Sequence, residues 1–469
     1  MKKLIASLMT ASLATISASN VVACRNNRFR DIWVVTDGNP VTDNSFNQSA
    51  FEGANNFLRY ILGHDVDSFD SVEYTAPNNI GQLTQAYNNA AQRGARTLVL
   101  AGFQHAATGG GNHNAPEIMA DVDGSVVLID NSTDGHENQI GLQFRADISG
   151  FMAGVAAIVY SIATNQHAGE TVRLATFGGI SNPGSVDVFM VGYLAAVEYW
   201  NRLSATTRGE LLGLNQDDEN FSAKTAIEAE IVLNNQNDVW GQGWIADSST
   251  NWFAGTFAVG QGGLTVINHL LNWGEADVIM PVAGPITQEV LQAIAPAAGN
   301  RSHARVVGVD VDQVLLPAFS AFNDLFITSA QKDIASATVV AIGHTEQYRD
   351  NETVQRAVAA YWEENLILTH DGEILDPQNS IGASWQSWEG KDIFAGGLIG
   401  TADQNLIVSS GLWEGYLSEH LESLDYALIE ASLMLFNEVD SFVASSQNQT
   451  IISYANITRF ADIVLNFTN

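Results

Sequence analysis

From Ile32 onward the chain alternates short, almost wholly apolar runs with longer amphipathic stretches, and this rhythm restricts the fold more than any other feature. Short apolar runs read as strands buried on both faces, and strands separated by helix-length segments pair in parallel. Ile32-Trp33-Val34-Val35 is expected to form a first strand and residues 49–62 its helix, with Thr97 to Ala101 and Val126 to Ile129 as further strands of one α/β lobe. A second series follows: a helix around 151–163, a strand at 172–177, a helix at 192–202, and strands at 278–280 and 305–309. The run 325–328 and the helix 335–342 suggest a return to the first lobe, and Leu398-Ile399 a last crossing. The expected fold class is therefore α/β, two doubly wound lobes joined by a hinge with a cleft between them. Residues 31–145 and 325–395 are assigned to lobe 1, 146–324 and 396–410 to lobe 2, and 411–469 to a C-terminal helical extension. Residues 204–252 read as a loop-rich insertion, and 417–442 as a long amphipathic helix packed on a lobe.

The amino terminus reads as an address. Met1-Lys2-Lys3 precedes an apolar run from Leu4 to Leu13 and small residues up to Val21-Val22-Ala23-Cys24. A charged start, an apolar stretch too short to span a bilayer and small residues before a cleavage point make a signal peptide over residues 1–23. The sequence Val-Val-Ala-Cys resembles a bacterial lipobox. By that resemblance Cys24 would receive a lipid and hold the protein on the outer face of the cell membrane, with residues 24–30 as a tether. The lone cysteine of a simply secreted chain is the alternative. No later segment is expected to cross a membrane, since none reaches roughly 18 uncharged apolar residues.

Charge narrows the partners. Asp plus Glu number 52 against 20 Lys plus Arg, a formal net charge of −32, so the average surface repels phosphate backbones, and nucleic acid is not an expected partner. With 46% hydrophobic and 15% charged residues the body is globular in composition. A single cysteine excludes an intramolecular disulfide and a thiolate metal cage.

In open α/β sheets ligands bind beyond the carboxyl ends of the strands, which directs the search to the residues after each apolar run. After the first strand stand Asp37-Gly38-Asn39 and then Asp43-Asn44-Ser45-Phe46-Asn47-Gln48, with Gly53 further on. Ser45 or Asn47 could simply cap the following helix. Phe46, at a helix start facing a cleft, is poorly placed for a core.

This pattern resembles the basic membrane protein family of substrate-binding lipoproteins, its purine nucleoside receptor members included. The family shows an Asp-Gly-Gly turn and then Asp-x-Ser-Phe-Asn-Gln; here Asn39 replaces the second glycine, a departure that bears on the turn. The segment Gly150 to Ala157, Phe177-Gly178-Gly179 with Phe189 and Gly192-Tyr193, Ala276 to Gly284, Gly308 to Gln313, and Thr328-Ser329-Ala330-Gln331-Lys332 continue the resemblance in order over most of residues 31–406.

The resemblance implies a substrate-binding protein of an ABC importer, without a cofactor or a metal, whose partners are a nucleoside and the permease subunits. Two phenylalanines would sandwich the base, here Phe46 and Phe257, the latter in Gly255-Thr256-Phe257-Ala258 where the Asp and Lys usual in the family are missing. Asp310 would hold the ribose hydroxyls, Lys332 would hold ligand or neutralise a buried aspartate, and Asp37 and Asn47 would read polar edges. Ser45 and Gly284 complete the expected ligand-binding set. Asp310 as a turn cap and Lys332 as a solvated helix end are the structural alternatives.

Other signals are weaker. Gly109-Gly110-Gly111 lacks the Lys-Ser or Lys-Thr of a phosphate loop, and His105 and His113 lack the spacing of a zinc site. Asp310 and Asp312 alternate on an extended segment and should point opposite ways. A sugar receptor of the same fold is the runner-up function. An extracellular hydrolase using Asp37 or Asp310 stands behind it, for want of a nucleophile and base pair.

Overall fold

The computed structural model describes residues 28–468 apart from 44, 67–70, 107–113, 134, 247–250, 261, 296–302, 371–372, 378–387 and 446–449. The signal peptide, Cys24, Gly109 to Gly111 and His113 lie outside the described residues. Of the expected tether, Phe29 and Arg30 already belong to the first strand. That strand starts before its apolar run because Phe29 pairs with Val72 and its amide donates to Ser71.

Five parallel strands come first: β1 (Phe29–Thr36), β2 (Val72–Thr75), β3 (Thr97–Ala101), β4 (Ser125–Ile129) and β5 (Gln139–Phe144). The chain then crosses through the helix Ala146–Thr164 to β6 (Val172–Gly178), β7 (Ala229–Ile231), β8 (Val278–Val282), β9 (Arg305–Asp310) and β10 (Phe326–Lys332). It returns through the helix Ile334–Gly343 to β11 (Leu368–His370), β12 (Glu373–Ile374) and β13 (Asp392–Ala395), and crosses a third time into β14 (Gly397–Ile399). The first sheet runs β12-β11-β13-β5-β4-β3-β1-β2 and the second β14-β10-β9-β8-β6-β7. β3, β4 and β8 are buried at every residue, as strands sandwiched between helix layers must be.

One boundary differs from the expectation. β10 belongs to the second sheet, where it pairs in parallel with β9, so the return to the first lobe starts after Lys332 and not at residue 325. Hydrophobic periodicity marks a buried strand without saying which neighbour it will pair with. The region 204–252 is also more ordered than a loop: it contains the helices Ala205–Leu211 and Phe221–Thr225 and the edge strand β7.

The helix Ala146–Thr164 is long and apolar enough to cross a membrane by length and composition. Sixteen of its nineteen residues are instead buried in the second lobe's core, against the helix Val188–Arg202. The two backbones approach so closely that a Cβ on Gly192 would fall 1.9 Å from the Asp147 carbonyl oxygen, and one on Gly150 would fall 2.4 Å from that of Phe189. These contacts give a packing reason for the glycines in the family-like segments.

The C-terminal region packs on the same core. Residues 417–442 are not one helix but the turn-rich Trp413–Leu417, the short helix Ser418–Ser423 and the helix Asp425–Ser445. Leu421, Leu428, Leu435 and, from the last helix Tyr454–Thr468, Phe460 and Val464 join the cluster around Phe151 and Tyr199. Phe460 lies 5.7 Å from Phe151, ring centre to ring centre.

Candidate functional site

The loop after β1 delivers its side chains to the cleft because another residue caps the helix behind it. The Asp43 carboxylate accepts from the backbone amides of Ser45 (3.0 Å), Asn47 (3.2 Å) and Gln48 (3.1 Å), satisfying the orphan donors at the start of the helix Phe46–Asn56. Ser45 and Asn47 are thereby spared the capping role that they could have filled. The Ser45 hydroxyl donates across the cleft to Asp310 Oδ2 at 3.0 Å, and Asn47 Nδ2 donates to Asp37 Oδ1 at 3.1 Å and Asp43 Oδ2 at 2.9 Å. Among the described residues, Asn47 Oδ1 is buried with no hydrogen-bond partner. Gly38 takes the positive φ of this turn and Asn39 does not, so the missing second glycine leaves the turn intact.

The opposite wall is built at the ends of β8, β9 and β10. Asp310 closes β9 with φ +65°, a left-handed conformation that turns its carboxylate out of the strand. Burial pushes its pKa up, countered chiefly by the nearby Lys332. Asp312, two residues on, faces the other way and accepts from Asn405 Nδ2 and the Ala402 amide. Desolvation likewise pushes Asp37 up to about 6, against the hydrogen bond from Asn47.

Lys332 at the end of β10 is buried, and its Nζ lies 2.9 and 2.8 Å from the two carboxylate oxygens of Asp130. It also donates to the Ser185 carbonyl at 3.2 Å, and the Ser185 hydroxyl donates to Asp130. Asp130 follows β4 in the first lobe, with φ +71°, so this ion pair joins the two lobes across the cleft. The ammonium also stands 5.7 Å from the centre of the Phe46 ring and 4.9 Å from that of Phe189. Of the roles open to Lys332, neutralising a buried aspartate is the one seen.

Phe257 reaches the cavity because Gly179 leaves room: a Cβ there would fall 2.4 Å from the ring. Its edge meets Phe103 from the first lobe, centroids 6.1 Å apart at 64°. Phe177 and Phe253, the other aromatic residues near this strand end, are buried in the core.

All eight residues selected from the sequence, Asp37, Ser45, Phe46, Asn47, Phe257, Gly284, Asp310 and Lys332, line one cavity between the lobes. With its open mouth included, it encloses about 520 Å³ of empty space. Asp130, Phe103 and Ser185 line it too and were missed. Asp130 and Phe103 stand just past β4 and β3, where the strand-end rule should have found them; Ser185 has no such signal. The Nδ1 of His105 meets the Tyr87 hydroxyl at 2.6 Å. Among the described residues no group of three or more His, Cys, Asp or Glu could hold a metal ion.

No family model matches the chain. It is 24% identical over 345 residues to the uncharacterized lipoprotein MG040 of Mycoplasma genitalium, an alignment covering 62% of this chain and 56% of that protein. It is also 24% identical over 292 residues to the ABC transporter nucleoside-binding protein BmpA of Lactococcus lactis, covering 61% of this chain and 66% of the relative. The match thus spans less than two thirds of either relative. Among solved structures, an ABC transporter solute-binding protein from Aeropyrum pernix superposes with a TM-score of 0.50 at 17% identity, covering 92% of this chain and 98% of that one. The chain is thus similar in sequence to a lipoprotein and to an ABC transporter nucleoside-binding protein, and it has the type I periplasmic-binding-protein fold seen in an ABC transporter solute-binding protein.

Proposed function

We propose that the protein captures a nucleoside between its lobes and hands it to the permease of an ABC importer, held at the membrane surface through Cys24. The observation that carries this reading is the composition of the one cavity that collects all eight sequence-selected residues. It offers aromatic rings from both lobes, Phe46 and Phe103 from the first and Phe257 from the second, for a flat base. It offers the carboxylates of Asp37 and Asp310 for hydroxyl or amine donors. Stacking is worth roughly 1–3 kcal/mol per base, and a hydrogen bond to a charged group about 1.5–3 kcal/mol. The buried acceptor Asn47 Oδ1 supplies a further polar contact. Capture, with no chemistry on the ligand, is the role; the nucleoside in the relative's name supports the ligand class.

Native mass spectrometry of protein purified without refolding should show a bound mass equal to a nucleoside. Calorimetry with adenosine, guanosine, inosine and uridine, and with ribose alone, then tests whether the base is recognised. Ribose binding as tightly as any nucleoside would overturn the reading in favour of a sugar receptor.

A further inference from the structure

The C-terminal extension reaches the back of the cleft through the helix Asp425–Ser445, which packs against residues 183–187, and through a short segment, Thr450 to Tyr454. The Thr450 hydroxyl donates to the buried carboxylate of Asp187 at 2.6 Å and accepts from the Ile452 amide at 3.2 Å. Asp187 is the clasp of the loop that carries Ser185 and Val186 into the cavity. It accepts from the Ser181 hydroxyl at 3.0 and 3.2 Å and from the Asn182 amide at 3.1 Å. A fully buried carboxylate needs all of its donors, and losing one leaves a desolvated acceptor unpaired.

The same segment also ties the second loop. The Ile452 carbonyl accepts from the Ala246 amide at 2.9 Å, and the Tyr454 amide donates to the Trp244 carbonyl at 3.0 Å. The Trp244 ring stands 5.5 Å from that of Trp252. Trp252 in turn accepts through its carbonyl from the Gly178 amide at 2.9 Å, which brings Phe257 over Gly179. Ser185, Val186 and Phe257, which line the cavity from the second lobe, therefore lie on two loops that share this support.

We propose that Thr450 to Tyr454 is a positioning element of the ligand site, holding two loops of the second-lobe wall from behind and so setting the spacing between Ser185 and Phe257. None of its residues lines the cavity; it acts through Asp187 and the tryptophan cluster. A site whose support loosens by about an ångström keeps its residues but loses much of its affinity. The proposal rests on the reading of this cavity as the ligand site.

The test compares Thr450→Val, which removes the hydroxyl, with Thr450→Ser, which keeps it, in the full chain. Hydrogen exchange without ligand reads the loops directly, because local opening sets amide protection. Thr450→Val should lower protection about ten-fold in peptides 181–187 and 251–257 while β6, β8 and β9 stay protected, and should weaken nucleoside binding about ten-fold. Thr450→Ser should restore both. Unchanged exchange in the two loops, loss spread evenly over the second lobe, or loosened loops with unaltered affinity would each overturn the proposal. If the unmutated protein binds none of the nucleosides, the ligand reading fails separately, and the exchange comparison still decides whether Thr450 positions the wall.

Discussion

Replacing Lys332 by methionine isolates what the interlobe ion pair does. The ammonium lies 2.8 Å from Asp130, and the two side chains are 2% and 4% exposed. At that separation, with an effective dielectric constant near 20, the Coulomb attraction is about 6 kcal/mol, most of it opposed by the desolvation of both ions. Removing one partner strands the other charge, which costs roughly 3–5 kcal/mol where the site cannot rearrange. Here it can, because Asp130 sits on the first lobe and Lys332 on the second, and separating the lobes returns Asp130 to water. The cost should therefore appear in closure of the cleft and not in folding. A penalty of about 3 kcal/mol on the closed form predicts a loss of nucleoside affinity of roughly a hundred-fold, with unfolding free energy in urea changed by less than about 1 kcal/mol. Asp130→Asn in the Lys332→Met background removes the stranded charge and should recover part of the loss, giving a coupling energy of at least about 1.5 kcal/mol. Calorimetry supplies the affinities, and small-angle scattering with and without ligand reports closure. Unaltered affinity in Lys332→Met, or a double variant weaker than both single ones, would refute the latch. The second outcome would mean that Asp130 acts on the ligand directly.

Three further outcomes follow from the same contacts. Gly179→Ala should push Phe257 out of place and weaken nucleoside binding by roughly 1–3 kcal/mol while leaving ribose binding unchanged; equal losses for both ligands in calorimetry would show that the ring does not stack on the base. Burial pushes Asp147 and Asp187 up to about 6 from an ordinary 3.8, so each contributes stability that is fully present below about pH 4 and lost as pH rises through about 6, on the order of 3 kcal/mol for each. Thermal midpoints in high salt should rise from pH 7.5 to pH 5, and Asp187→Asn should flatten that rise; an equally steep rise in the variant would show that Asp187 is not its source. Cys24→Ala should release the protein from membranes, and a variant that still sediments with them after a high-salt wash would show an anchor elsewhere.

The fold class was legible because strands buried on both faces leave continuous apolar runs, and such runs separated by helix-length segments pair in parallel with little dependence on detail. Phe46, Asn47 and Asp310 were legible as candidates because residues just past a strand end in an α/β sheet face the cleft, whereas Lys332 came from the family resemblance. The same rule, applied to every strand, would have reached Asp130 and Phe103. Pairing partners were not legible: β10 carries the same apolar pattern whichever sheet receives it, and its register against β9 decided the matter. Nor could spacing assign the helix cap to Asp43 over Ser45, since both residue types suit the role and only the path of the turn brings one carboxylate to three amides. The ion pair of Lys332 with Asp130 and the hydrogen bond of Thr450 to Asp187 join residues more than two hundred positions apart. Sequence records which groups are present; which charge is neutralised and which buried acceptor is satisfied depend on distances that exist only once the lobes and the C-terminal extension have packed.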